Sequence, residues 1–212
     1  MDPRLKKLID ITDFEKVFKK YNYAYFTSGN FNLNIIGIRS FLDGTKHNND
    51  FNDALVLEYK VNGQWVRKIY DFTTDPGQTS LNAPSNSKGT AILVPYQYRG
   101  VYKIDLHNGK YQALCQRLGN VAVYRDNNKD KNLDMDPRNI EVGSFGINIH
   151  RAKDNAVTEL VNGYSAGCQV LKDSKDFTEF MDILKTSEKT YGNKFTYTLI
   201  TTDMLDKCIC MS

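Results

Sequence analysis

The chain has 212 residues, 28 of them Lys or Arg and 25 Asp or Glu, for a formal charge of +3. That excess is too small to argue for a nucleic-acid partner, though it would not hinder approach to an acidic polymer. A hydrophobic share of 41% supplies one ordinary core and excludes a globally disordered chain. No apolar run is long enough to span a bilayer, so no membrane insertion is expected.

The opening Met1–Asp10 lacks the apolar stretch of a secretory signal, which predicts a product made in the cytoplasm. The four cysteines, at 115, 168, 208 and 210, have neither zinc-ligand spacing nor the pattern of a disulfide-stapled secreted domain. Cys115 reads as a small core residue, and Cys208 and Cys210 as surface thiols in a polar tail.

In chain order, Thr12-Asp13-Phe14-Glu15 matches a capping box, with Phe14, Val17, Phe18 and Tyr21 following at helical spacing. This predicts a helix over about residues 12–21, within a helical extension covering 1–30. Residues 31–39 alternate like a strand, and the polar 42–52 stretch reads as a loop with His47 exposed. Asn62-Gly63 between Ala54–Lys60 and Trp65–Tyr70 predicts a hairpin, and Asp75-Pro76-Gly77 a turn. Short strands are expected at 89–94, 101–106, 113–114 and 121–124. His107-Asn108-Gly109 is expected to form a turn, with His107 serving it or facing solvent. Phe145–His150 and Tyr164–Leu171 each carry an apolar run that reads as a buried strand. Asp173 caps a predicted helix over 174–190, Phe195–Thr201 is a last strand, and 202–212 a tail. The sum is one mainly β (α+β) domain.

Asp126–Asp136 carries oxygen-bearing side chains at every second position. Asp126, Asn128, Asp130 and Asp134 fall on the first, third, fifth and ninth places of a calcium loop. Lys131 stands where such a loop has glycine, and Pro137 where it has its bidentate glutamate. A structural calcium and a hydrated loop held by Asx-type bonds are both open readings. No other cofactor is required.

His150 and Cys168 stand eighteen positions apart, each attached to an apolar run. An imidazole is the side chain best suited to draw the proton from a thiol near neutral pH. The small residues Ser165, Ala166 and Gly167 let a carbonyl approach Cys168, and glycine permits a turn whose N–H groups face a developing oxyanion. Together these residues resemble the L,D-transpeptidase (YkuD-type) catalytic domain family, whose motif is a histidine after an apolar strand and then Ser/Thr-x-Gly-Cys. Thr73–Gly77 and Pro84–Thr90 resemble the family's upstream turns, so the likeness covers roughly residues 54–172. The chain as a whole is similar to proteins of Bacteroidetes bacteriophages, in Gly89–Pro95, Tyr124–Asn128 and Asn148–His150. Ala166, Gln169 and Arg151 depart from the histidine, basic residue and small residue that the family commonly has there.

The resemblance implies an L,D-transpeptidase-like β-sandwich or barrel over 31–201, with an N-terminal helix and a C-terminal helix–strand unit. It implies Cys168 as the nucleophile that forms a thioester with a peptidoglycan stem carbonyl, and His150 as the group exchanging the proton. Backbone N–H groups of Gly167 and Cys168 would line the oxyanion hole, and Ser165 would brace the turn or the histidine. Arg151, Gln169, Tyr164 and Arg99 are candidate substrate contacts. An amine acceptor gives a cross-link and water gives hydrolysis. Without a secretory signal, the expectation is a phage lysin-like hydrolase acting at the host cell wall, released by a holin or carried in a virion. A cross-linking transpeptidase and a non-catalytic wall-binding or virion structural module are the alternatives. A papain-like peptidase fits less well, because His150 precedes Cys168.

Overall fold

The computed structural model describes residues 1–44, 49–130 and 132–209, the last four by backbone alone. His47, Lys131 and Cys210 lie outside the described residues, as does the side chain of Cys208.

Two N-terminal helices, α1 (Pro3–Ile11) and α2 (Phe14–Lys20), replace the single helix expected over 12–21. Asp2 caps the first through the Arg4 N–H, with Pro3 pre-set at the first helical position. Asp13 caps the second through the Lys16 N–H. Thr12 closes α1 instead of opening a capping box, since its Oγ1 donates to the Leu8 carbonyl.

The strands are β1 (Asn34–Arg39), β2 (Asp53–Val61), β3 (Gln64–Thr73), β4 (Thr90–Leu93), β5 (Gln97–His107), β6 (Tyr111–Gln116), β7 (Val121–Asp126), β8 (Ile140–Gly143), β9 (Ile149–Arg151), β10 (Gln169–Leu171) and β11 (Phe195–Thr201). A short helix α3 (Gln78–Asn82) follows the Asp75-Pro76-Gly77 turn, α4 (Ser174–Tyr191) precedes β11, and α5 (Thr202–Ile209) follows it. The hairpin, α4 and β11 lie where the sequence places them. The expected tail begins as α5 instead, with Leu205 buried against the N-terminal helices.

Eight strands close a barrel in the order β1-β11-β5-β6-β9-β10-β3-β2, and β4-β7-β8 form a separate three-stranded sheet. The fold is therefore mainly β with a closed barrel. Two neighbour pairs run parallel, β1 with β11 and β9 with β10. The hairpin between β2 and β3 turns on Asn62 and Gly63, both at positive φ (51° and 80°), as a right-twisted two-residue turn requires.

Strand alternation divides the apolar residues between two cores. Ile35, Leu55, Leu57, Tyr197 and Leu199 point into the barrel, where Phe180 and Leu184 of α4 join them. Ile36, Ile38, Ala54, Val56 and Ile200 point outward and are covered by Leu5, Ile9, Phe14 and Phe18 of the helical extension. Strands buried on both faces, as β1 is, read as continuous apolar runs. Among the described residues no helix is long and apolar enough to cross a membrane.

Candidate active site

The parallel pairing of β9 with β10 puts Val170 opposite His150 and Gln169 opposite Ile149. Cys168 stands one residue before β10, so the two motif residues lie on neighbouring strands, two register positions apart. His150 is buried and Cys168 keeps part of its surface.

The turn before Cys168 is tied down by Ser165, which is fully buried. Its Oγ donates to the Cys168 carbonyl at 2.7 Å and accepts the Gly167 N–H at 3.2 Å. Its carbonyl accepts the Gly77 N–H and the Ser80 hydroxyl, each at 2.9 Å. Ser165 thus braces the turn and not the histidine. Gly167 has φ +119°, and a Cβ built there would lie 2.6 Å from the Ala91 carbonyl oxygen, so only glycine fits against β4.

Gln169 is fully buried. Its Nε2 donates to the carbonyls of Thr74 and Gly167, each at 3.2 Å, and its Oε1 accepts the Tyr197 hydroxyl at 3.0 Å. It is a strut inside the barrel, where it does not face substrate. The same Thr74 carbonyl accepts Nη2 of Arg39 at 2.9 Å, and Arg39, wholly buried, pairs with Asp75 at 2.9 Å. A buried ion pair therefore underlies the Cys168 turn, fixed by hydrogen bonds on every side.

His150 Nδ1 lies 2.7 Å from the Arg151 carbonyl, which assigns the hydrogen to Nδ1 and leaves the Nε2 lone pair to accept a proton. The Cys168 thiol donates to the Gly146 carbonyl at 3.4 Å. Among the described residues no hydrogen bond joins that thiol to the His150 ring. Burial pushes the Cys168 thiol up to about 11, against the pull of the Asn148 N–H, with Cys115 adding a little. Although the residue keeps some exposed surface, burial dominates at the sulfur. Burial also lowers His150 to about 4, helped by the neighbouring His107 and Arg151 and opposed by the Arg151 carbonyl. At neutral pH the resting site is a thiol beside a neutral imidazole, with no preformed thiolate–imidazolium pair.

The other candidate contacts scatter. Tyr164 is 37% exposed at the turn, beside the exposed Ala166. The Arg151 guanidinium stacks 3.9 Å from the Tyr111 ring and pairs with Asp154 at 3.2 Å, so its charge is already engaged. Arg99 is exposed on β5 and lines a groove of about 620 Å³ with Tyr21, Tyr23 and Tyr96, a groove that contains neither Cys168 nor His150.

In the acidic loop, Asn128 donates from Nδ2 to Asp130 at 3.1 Å and to Asp134 at 2.6 Å, while Asp126 accepts the Asp134 N–H at 3.0 Å. The four predicted ligands do come together, but around an amide donor where a cation would need oxygen. Burial holds the Asp126 carboxyl above its ordinary range, with Asp134 and Asp130 adding to the effect. Among the described residues no group of three or more His, Cys, Asp or Glu side chains is arranged to hold a metal ion.

Two residues of the site were not anticipated. His107, expected in a turn or in solvent, is instead buried, and its ring stacks on that of His150 with centroids 4.2 Å apart and planes 24° apart. Asn148 is buried between the two halves of the site: its Nδ2 meets His107 Nδ1 at 3.1 Å, and its carbonyl accepts the Gln169 N–H at 2.8 Å. Strand alternation through Tyr102 and Ile104 makes Leu106 the expected buried residue, yet Leu106 is 49% exposed and His107 is the buried one. Cys115 is buried, as the sequence suggests.

Comparison of the chain with protein-family models, with curated proteins and with solved structures gives no match.

Proposed function

We propose that this chain is a cysteine acyl-transfer enzyme acting on peptidoglycan peptide stems, used as a lysin-like hydrolase at the host cell wall. The observation that carries this reading is the β9–β10 register, which pairs His150 with Val170, two residues past a Cys168 mounted on a glycine-only turn. The Cys168 sulfur would attack the stem carbonyl as the thiol proton passes to His150 Nε2. The C–N bond then breaks, and the proton leaves with the amine. Water attacks the thioester, releasing a carboxylate and restoring the thiol; an amine in its place would give a cross-link. The Gly167 N–H is already held by Ser165 Oγ. The Cys168 N–H donates no hydrogen bond among the described residues and is the better oxyanion donor. Incubation with purified muropeptides should change fragment masses with the parent chain and leave them unchanged with Cys168→Ala. No change with the parent overturns the enzyme reading.

One observation favours a second reading, a wall-binding or virion structural module with the same fold. The thiol and imidazole are both neutral at rest and are not hydrogen-bonded to each other. Under that reading Cys168→Ala and the parent sediment equally with purified cell walls, and neither alters muropeptides.

A further inference from the structure

None of the hydrogen bonds of Ser165 goes to His150, so whatever holds His150 in place must come from elsewhere. The ring edge is held by the Arg151 carbonyl, and one ring face is covered by His107. We propose that His107 is a positioning residue of this site, and that the tip of the β5–β6 hairpin sets the plane of the His150 ring. The proposal rests on the role given to His150 above.

The geometry fixes the state of His107 as well as its place. Asn148 Oδ1 accepts the Gln116 N–H at 3.0 Å, so it is the Nδ2 end of that amide that meets His107 Nδ1 at 3.1 Å. His107 Nδ1 is therefore an acceptor, and the ring hydrogen sits on Nε2; the Asn108 side chain, whose Nδ2 lies 3.1 Å from Nε2 and which makes no other hydrogen bond among the described residues, has to turn its amide oxygen to that hydrogen. Placing a proton on Nδ1 would set two donors against each other inside a buried site. A neutral ring stacked on His150 is compatible with the positive charge that His150 gains as it takes the thiol proton, whereas a second cation there would oppose it.

Asn148 extends the device to the neighbour of Cys168, since its carbonyl accepts the Gln169 N–H and its side chain holds His107. The other charged or titratable groups around the two rings are Arg117 and Lys110 near His107, and Arg151 and Tyr111 near His150, with Cys168, Cys115 and Asp154 beyond Tyr111. Burial first, then Arg117 and Lys110, keep His107 below its ordinary range.

The test uses the full chain with isotope-labelled histidine. The ring tautomer and titration of His150 are followed by NMR, and alkylation of Cys168 by iodoacetamide is followed against pH. In the parent, His150 should show a single tautomer with hydrogen on Nδ1. In His107→Ala, with the face uncovered, both tautomers should appear and the titration midpoint should rise by about one pH unit or more. His107→Phe should restore the single tautomer and bring the midpoint back toward that of the parent, because it keeps the ring face covered. Should His107→Ala not fold, His107→Phe and His107→Gln supply the same comparison. A folded His107 variant set in which the His150 tautomer, midpoint and Cys168 alkylation profile all match the parent overturns the proposal. If muropeptide turnover exists, His107→Ala should lower kcat about tenfold with KM nearly unchanged. Parent protein with no turnover, but with the expected NMR changes, overturns the functional reading and sustains the positioning role.

Discussion

The His150–Cys168 stretch and the Asp126–Asp136 loop both carry a motif whose spacing suggests chemistry, and they are built in opposite ways. The first is held from outside itself. Its turn hangs on Gly77 and Ser80, its strut Gln169 reaches Thr74 and Tyr197, and an ion pair from β1 to the Asp75 turn lies beneath. The second is held from within, by Asn128, Asp130 and Asp134 bonding one another on the surface. A site that must hold reactive groups at fixed separation needs rigid neighbours from several elements. A loop that satisfies its own polar groups needs none, and its oxygen atoms are then already committed.

The contrast can be broken by removing a support from each region. Arg39→Met leaves the Asp75 and Asp53 carboxylates buried without their cation. It should cost about 3–5 kcal/mol in urea unfolding, enough to threaten the whole barrel. The thiol reactivity of Cys168 should report the same enclosure. With burial holding it near 11, alkylation at pH 7 should be hundreds of times slower than that of a free cysteine, on the order of the ratio of thiolate fractions, and should climb with pH toward that value. Fast labelling at neutral pH would mean that the thiol is ionised at rest. Gly167→Ala forces a side chain onto the Ala91 carbonyl at positive φ. It should destabilise by roughly 1–3 kcal/mol and abolish any muropeptide turnover. By comparison, Asn128→Ala removes bonds between exposed groups and should shift stability by about 0.5 kcal/mol or less. Millimolar calcium should raise Tm by less than about a degree if Asn128 keeps its place; a larger rise would show the loop reorganising around a cation.

Local signals carried much of this architecture. Asn62-Gly63 between alternating runs specified the hairpin, because few residues adopt positive φ twice in succession. The Asp173 cap and the Phe177, Phe180 and Leu184 stripe specified α4. In the site, the sequence identified Cys168 and His150, and the need for glycine at 167, since these rest on residue type and spacing within one short stretch. It also showed Asp2-Pro3 followed by Leu5 and Ile9, a cap and apolar stripe sufficient for α1 that the capping box at Thr12 overshadowed.

Tertiary structure alone decided the rest. Barrel closure depends on parallel pairings between strands far apart in the chain, β1 with β11 most of all, and no local pattern encodes which strands meet. Gln169 looks like a polar residue beside a candidate reactive cysteine, but its alternation faces it into the barrel, where Tyr197 and Thr74 bond its amide. His107 looks like a turn residue, but the hairpin's end lies over β9 and turns its ring onto His150. The sequence named Cys168 and His150 as a candidate pair; the fold determined that both stay neutral, because only the neighbours brought by closure set how deeply they are buried.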